Sequence, residues 1–212
     1  MLERADGRSG ELVLRRRSGE LEVIGNGSFL MAAANEPSSR ALIAAARPSL
    51  PARPLEVLIG GLGMGYALDE ALGLPDLREV VVAELEPVVV GWFARYMRER
   101  ASRVSRDARS RILVADVYDV LVSGRRFDLV VLDTDNGPAW LVRQPNARLY
   151  DAAGVGVVRA ALKPAGVAVF WSADEHLWFA ERLGAEFGHV EPVAAHDVVD
   201  GRRVDCTMYV CR

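Results

Sequence analysis

The residue types and spacings that could do chemistry in this chain fall in four short segments. The first is Gly60-Gly61-Leu62-Gly63-Met64-Gly65. Glycines let a backbone turn sharply and approach a nucleotide without a Cβ clash, so Gly61, Gly63 and Gly65 are candidate cofactor-binding positions. The third glycine of Gly61-x-Gly63-x-Gly65 comes two residues after the second, where the dinucleotide fingerprint requires three. The second segment is Glu84, nineteen residues beyond Gly65. A carboxylate there can accept both ribose hydroxyls, and it equally suits the N-terminus of a helix opening at Pro87. The third is Asp116, able to accept from an adenine amino group or to cap a helix through Asp119 and Leu121. The fourth is Asp133-Thr134-Asp135-Asn136-Gly137-Pro138. Asp133 and Asp135 could bind or deprotonate an amine acceptor, although the same composition suits an Asx/Gly/Pro turn. Trp140, just beyond, is the aromatic best placed to line an acceptor pocket.

Each segment directly follows a short apolar run, at 55–59, 79–83, 111–115 and 127–132. Helical patterns at 66–72, 87–100, 151–162 and 175–187 alternate with these runs and with a fifth at 166–171. Such alternation predicts an α/β fold with a doubly wound, mostly parallel Rossmann-like sheet, and ligands bind beyond the carboxyl ends of its strands. The glycine spacing is that of S-adenosylmethionine (SAM) folds rather than NAD folds. Two final runs, 189–195 and 203–210, joined at Asp200-Gly201, predict a closing antiparallel hairpin. Before the sheet, runs at 11–17 and 20–24 flank a Ser18-Gly19 turn, and 28–32 could add a third strand. Asn35 and Pro37 then start a helix over 38–46. The expected organisation is a β-hairpin and helix appendage over 1–50 and a SAM-type nucleoside-binding domain over 51–212.

Composition narrows the partners. With 26 basic and 29 acidic residues the net charge is −3, which leaves no electrostatic footprint for nucleic acid. No apolar run is long enough to span a bilayer, and Met1 to Gly10 has no apolar signal-peptide core. Cys206 and Cys211, five apart on one strand, face opposite sides; as unpaired buried thiols they point to a cytoplasmic protein. His176, His189 and His196 lack zinc-ligand spacing, so no metal is expected. A single lysine, Lys163, stands among 25 arginines.

The chain resembles the spermidine/spermine synthase family, the polyamine aminopropyltransferases, which share the class I SAM-methyltransferase fold. The resemblance runs through an N-terminal β-hairpin, the Gly61 to Leu72 loop and helix, Val82-Ala83-Glu84-Leu85-Glu86-Pro87 and Asp116. It continues in Phe127-Asp128-Leu129-Val130-Val131-Leu132-Asp133, Gly137-Pro138-Ala139, Leu149-Tyr150 and Ala161-Leu162-Lys163-Pro164-Ala165-Gly166. It implies SAM or decarboxylated SAM as donor, a small amine-bearing acceptor and a homodimer. Glu84 would hold the ribose, Asp116 the adenine, and Asp133 would take the catalytic acidic position. Trp140 and Tyr150, in the loop region that must supply acceptor specificity, would contact the substrate.

The chain also departs from that family. Met64 stands where an aspartate usually grips the amine of the aminopropyl tail. The second acid, Asp135, follows Asp133 by two residues rather than three, and Pro37-Ser38-Ser39-Arg40 replaces a tyrosine–histidine pair. The nucleoside half of the expected site is complete, while its tail and acceptor halves are degenerate. Two other functions therefore stay open: a SAM-dependent methyltransferase, and a non-catalytic nucleoside-binding scaffold on the same fold.

Overall fold

The computed structural model of the protein describes all residues 1–212. Strand side chains alternate between faces, and here both faces are covered. Val57 and Ile59 join one core cluster, with Val80, Val82, Leu129 and Val131. Leu58 joins the other, with Val81, Val130, Ala168 and Phe170. Each central strand of such a sheet must be apolar on consecutive residues, which is why these runs carry no polar alternation.

The large sheet contains β5 (Leu55–Gly60), β6 (Leu77–Glu84), β7 (Ser110–Val114), β8 (Phe127–Leu132), β9 (Leu162–Ser172), β10 (Val190–Val199) and β11 (Arg202–Cys211), in the order β10-β11-β9-β8-β5-β6-β7. The pairings from β7 to β9 are parallel, and β11 pairs antiparallel with both β9 and β10. The expected doubly wound sheet with its closing hairpin is present. The chain reverses direction across the sheet between β7 and β8, so the exits of β5 and β8 lie side by side. Gly60 pairs with both Ala83 and Leu132, placing the three exits level.

Helix α1 (Glu36–Ala46) and α2 (Tyr66–Leu72) cover one face. Leu42, Ile43 and Ala46 of α1 sit in the same cluster as Val57 and Ile59. Helix α7 (Ala152–Ala160) and α8 (Leu177–Phe187) cover the other through Val155, Val158, Phe179 and Leu183. Several boundaries differ from expectation. The helix expected over 87–100 is two: α3 (Pro87–Tyr96) and α4 (Arg98–Arg106), broken at Met97, whose backbone (φ −106°, ψ 44°) is non-helical. A five-residue α5 (Val117–Leu121) follows β7, and a four-residue α6 (Ala147–Tyr150) precedes α7. The helix expected to reach residue 162 stops at Ala160, because Leu162 already pairs with Phe127 in the sheet.

The N-terminal hairpin is larger than expected. It is a four-stranded antiparallel sheet of β1 (Glu3–Gly7), β2 (Gly10–Arg17), β3 (Glu20–Gly25) and β4 (Ser28–Ala32). Leu12, Leu14, Leu21 and Val23 pack against Met64, Tyr66, Val89 and Trp92. The extra strand, Glu-Arg-Ala-Asp-Gly, shows no apolar alternation. It is held by Glu3, whose carboxylate accepts from the Trp92 indole N–H (2.8 Å), the Tyr96 hydroxyl (2.6 Å) and Arg95.

Candidate active site

A cavity opens where β5, β6, β7 and β8 end, and Gly61 and Gly63 of the glycine loop, Glu84, Asp116, Asp133 and Asp135 all line it, whereas Gly65 stands outside the lining as the N-cap of α2, with φ +80° and Phe93 against it. The loop's geometry depends on glycine at its first turn. Gly61 has φ +95°, and a Cβ there would lie 2.2 Å from the Asp133 carbonyl oxygen, a contact that no other residue could make. Neighbouring strands hold the turn: Gly61 N–H donates to Ala83 O (2.9 Å), and Asp133 N–H donates to Gly60 O (3.0 Å).

Glu84 is buried, and it organises the loop it faces. Its Oε2 accepts from Leu62 N–H (2.9 Å) and its Oε1 from Glu86 N–H (2.8 Å). Burial pushes its carboxyl above the usual range, while the backbone donors oppose that rise. A carboxylate has about four lone-pair sites, so capacity remains for two ribose hydroxyls. Glu86, which sequence reasoning passed over as part of a helix start, is also buried and lines the cavity. Its carboxylate accepts from Arg8 N–H (2.7 Å) and Ser9 N–H (2.8 Å), fastening the β1–β2 turn over the cavity, which Ser9 also lines.

Asp116 does cap a helix: its Oδ1 accepts from Tyr118 N–H (3.0 Å) at the start of α5. Its Oδ2 accepts from Arg148 Nη2 (2.8 Å), with Arg143 Nη1 at 3.5 Å. Any adenine contact there is made by a carboxylate that the protein already holds on both oxygens.

The two loop aspartates have separate tasks. Asp135 is buried, and four donors converge on it: the N–H groups of Asn136 (3.0 Å), Val142 (2.6 Å) and Arg143 (3.1 Å), and Asn146 Nδ2 (3.0 Å). It closes the loop after β8 on itself, as an Asx-type turn anchor would. Asp133 has no hydrogen-bond donor on its carboxylate, and burial, with a smaller contribution from the Asp197 charge, raises its carboxyl to about 7.

The aromatic candidates stand apart from the cavity. Trp140 is 51% exposed and is not among the lining residues. Tyr150 is buried, with its ring edge against Phe179 and its hydroxyl 3.4 Å from Thr134 Oγ1, and it too lies outside the lining. Burial raises its phenol well above the usual range, so it is neutral at physiological pH. Trp171, from β9, supplies the aromatic wall instead.

The first turn of α1 and the residues before it form the far wall through Asn35, Ser38 and Ser39. Behind them is buried Asp197 of β10, which accepts from Ser38 Oγ (2.7 Å), Ser38 N–H (2.9 Å) and Asn35 Nδ2 (2.8 Å). Its only local signal was an acid within an otherwise mixed strand. No group of three or more His, Cys, Asp or Glu side chains is placed to hold a metal ion, and no helix is long and apolar enough to cross a membrane.

Comparison with known proteins agrees with this architecture. No family model matches the sequence. The polyamine aminopropyltransferase of Pyrobaculum aerophilum is 30% identical over 134 residues, covering 61% of this chain and 44% of that protein. The polyamine aminopropyltransferase 2 of Caldanaerobacter subterraneus is 32% identical over 108 residues, covering 48% of this chain and 35% of that protein. These matches thus span less than half the length of the curated relatives. Among solved structures, a spermidine synthase in complex with the transition-state analogue AdoDATO superposes with a TM-score of 0.79 at 16% identity, over 99% of this chain and 72% of that one. The spermidine synthase from Thermotoga maritima gives 0.76 at 15% identity, with the same coverage. In sequence the chain resembles the polyamine aminopropyltransferases, and its fold is that of the spermidine synthases.

Proposed function

We propose that the protein is a polyamine-aminopropyltransferase-like transferase that moves a carbon group from a SAM-type sulfonium donor to a small amine. The observation that supports this best is Asp133, a cavity carboxylate with no protein donor, raised to about 7 beside the glycine loop. A base that titrates near the working pH is suited to proton transfer. Glu84 would hold the ribose, Asp116 the adenine edge, and Gly61 to Gly65 would let the backbone pass close to the nucleoside. When bound, the donor supplies an electrophilic carbon beside its sulfonium. Asp133 orients the acceptor amine and takes up the proton that its nitrogen loses. The nitrogen lone pair forms the new C–N bond as the C–S bond breaks, and the two C–S bonding electrons remain on the sulfur, which becomes neutral. Positioning supplies most of the acceleration. Incubation of the protein with decarboxylated SAM and mixed amines should yield an aminopropylated amine and methylthioadenosine by mass spectrometry; donor turnover with neither product would defeat the proposal.

A second reading, methyl transfer from intact SAM, is favoured by Met64. Its side chain is buried and lines the cavity, and it would offer no charge to an aminopropyl ammonium. Its carbonyl accepts from Arg100 Nη1 (2.7 Å), and that guanidinium lies 3.9 Å over the Tyr66 ring. Met64→Asp should raise affinity for decarboxylated SAM relative to SAM by about tenfold, the worth of one charge-assisted hydrogen bond. Calorimetry with both donors on the parent and M64D proteins decides: a parent preference for intact SAM would favour methyl transfer.

A further inference from the structure

On the reading that the cavity takes a SAM-type donor, we infer that Arg100 is a positioning residue for that donor, acting from outside the cavity through the far half of the glycine loop. The near half is secured by the sheet: Gly61 N–H donates to Ala83 O, and Leu62 N–H donates to Glu84. Beyond Leu62 the loop leaves the strands. Gly63 and Met64 still line the cavity, but no backbone N–H reaches the Met64 carbonyl. Its partner is Arg100 Nη1, at 2.7 Å.

The same side chain holds the next two residues. Its stem passes Gly65 so closely that a Cβ there would lie 3.2 Å from Arg100 Cδ, and its guanidinium lies 3.9 Å over the Tyr66 ring. Arg100 thus grips Met64, Gly65 and Tyr66 where the loop becomes α2. The break at Met97 makes this possible: Phe93 of α3 lies against Gly65, and the turn before α4 brings Arg100 to the same glycine. Arg100 lines an open groove on the outer side of the loop, and Met64 and Tyr66 are walls common to groove and cavity. Arg95 and Arg103, in the same groove, are paired with Glu3 and Asp69. Arg100 has no such carboxylate, and its Nε is the one buried side-chain nitrogen or oxygen in the chain without a hydrogen-bond partner. A buried donor left unmet is costly and rare in folded proteins. What the chain retains at that cost is the hold on the loop.

Arg100→Met keeps an unbranched stem beside Gly65 and Tyr66 while removing both the bond to Met64 and the unmet Nε. Calorimetry with 5′-methylthioadenosine on the full chain should show binding weakened about tenfold, the worth of one charge-assisted hydrogen bond. The Gly65 and Asp69 amides, bonded to Leu62 O and Gly65 O, should exchange at least tenfold faster. Melting should stay within about 4 °C of the parent, a separation of binding from stability that a merely structural arginine would not give. Arg103→Met removes a neighbouring α4 charge that bonds Asp69 and Glu99 and not the loop, and it should leave affinity within about twofold. Parent-like affinity in R100M, an equal loss in R103M, or an R100M protein that melts more than about 8 °C lower or fails to fold would overturn the inference and leave the donor reading in place. Failure of the parent protein to bind 5′-methylthioadenosine would instead overturn the donor reading, and the role of Arg100 with it.

Discussion

Asp133→Asn should make the protein more stable at pH 8 and leave it nearly unchanged at pH 4. The carboxyl titrates near 3.8 when unfolded and near 7 when folded. Between those values the folded state binds more protons than the unfolded state, so the carboxylate costs stability as pH rises. The penalty is almost absent below pH 4, grows through pH 5 and 6, and levels off above pH 7. At about 1.4 kcal/mol per pH unit, the full displacement sets a ceiling of about 4 kcal/mol. Asp133 opens into the cavity, however, and water there screens part of its charge, so about 2 kcal/mol is expected. Removing the carboxylate also removes its repulsion with Asp197, which acts in the same direction. For a chain of this size that amounts to about 4–8 °C in melting temperature. Urea unfolding of parent and variant at pH 4, 6 and 8 measures it. A gap that stays constant with pH, or an asparagine variant less stable at pH 8, would refute the claim that Asp133 is an unpaired acid. The same variant should lose about 10²–10⁴-fold in turnover if Asp133 is the base, making it a more stable but inactive protein.

Asp128 should behave in the opposite sense. It is wholly buried, with Arg53 Nε (2.8 Å), Lys163 Nζ (2.8 Å) and Glu56 N–H (2.9 Å) upon it, and the hydrogen bonds to these partners hold its carboxyl low against the cost of burial. Its stabilisation is present above the ordinary carboxyl range and lost as pH falls. Because the two cations are partly exposed, Asp128→Asn should cost about 2 kcal/mol at pH 7, and the gap should close in acid unfolding experiments. Asp135→Ala should free the loop after β8: nucleoside affinity should fall about tenfold, and the Val142 and Arg143 amides should lose hydrogen-exchange protection, with only a few degrees' change in melting. Retained protection there would show that another group holds the loop. Gly154→Ala should destabilise by about 3 kcal/mol or more in urea, because its Cβ would fall 1.7 Å from the Arg148 carbonyl oxygen; a loss below about 1 kcal/mol would show that the α6–α7 junction yields easily.

What could be read from the sequence was what local chemistry decides. Apolar runs that are buried on both faces, a glycine loop with one workable backbone path, and acids directly after strands are written in neighbouring residues. They located the sheet, its closing hairpin and the cavity-lining Gly61, Glu84, Asp116, Asp133 and Asp135. The extra N-terminal strand escaped because Glu3 is held by Trp92, 89 residues away, rather than by its own apolar pattern. No local pattern announces that Lys163, the single lysine, partners the buried Asp128, 35 residues before it.

Tertiary structure decided what each acid is free to do. Asp133 and Asp135 stand two residues apart and looked like an equivalent pair; folding surrounds Asp135 with four donors and leaves Asp133 with none. Asp197 reaches the site region only because β10 lies beneath the start of α1, 159 residues from the serine it binds. Trp140, adjacent in sequence to the acidic loop, turns outward, while Trp171 from another strand faces the cavity. Periodicity and backbone strain act between neighbours in the chain, so a sequence displays them directly. Desolvation, hydrogen-bond saturation and charge pairing act between neighbours in space, and only the folded chain brings those neighbours together.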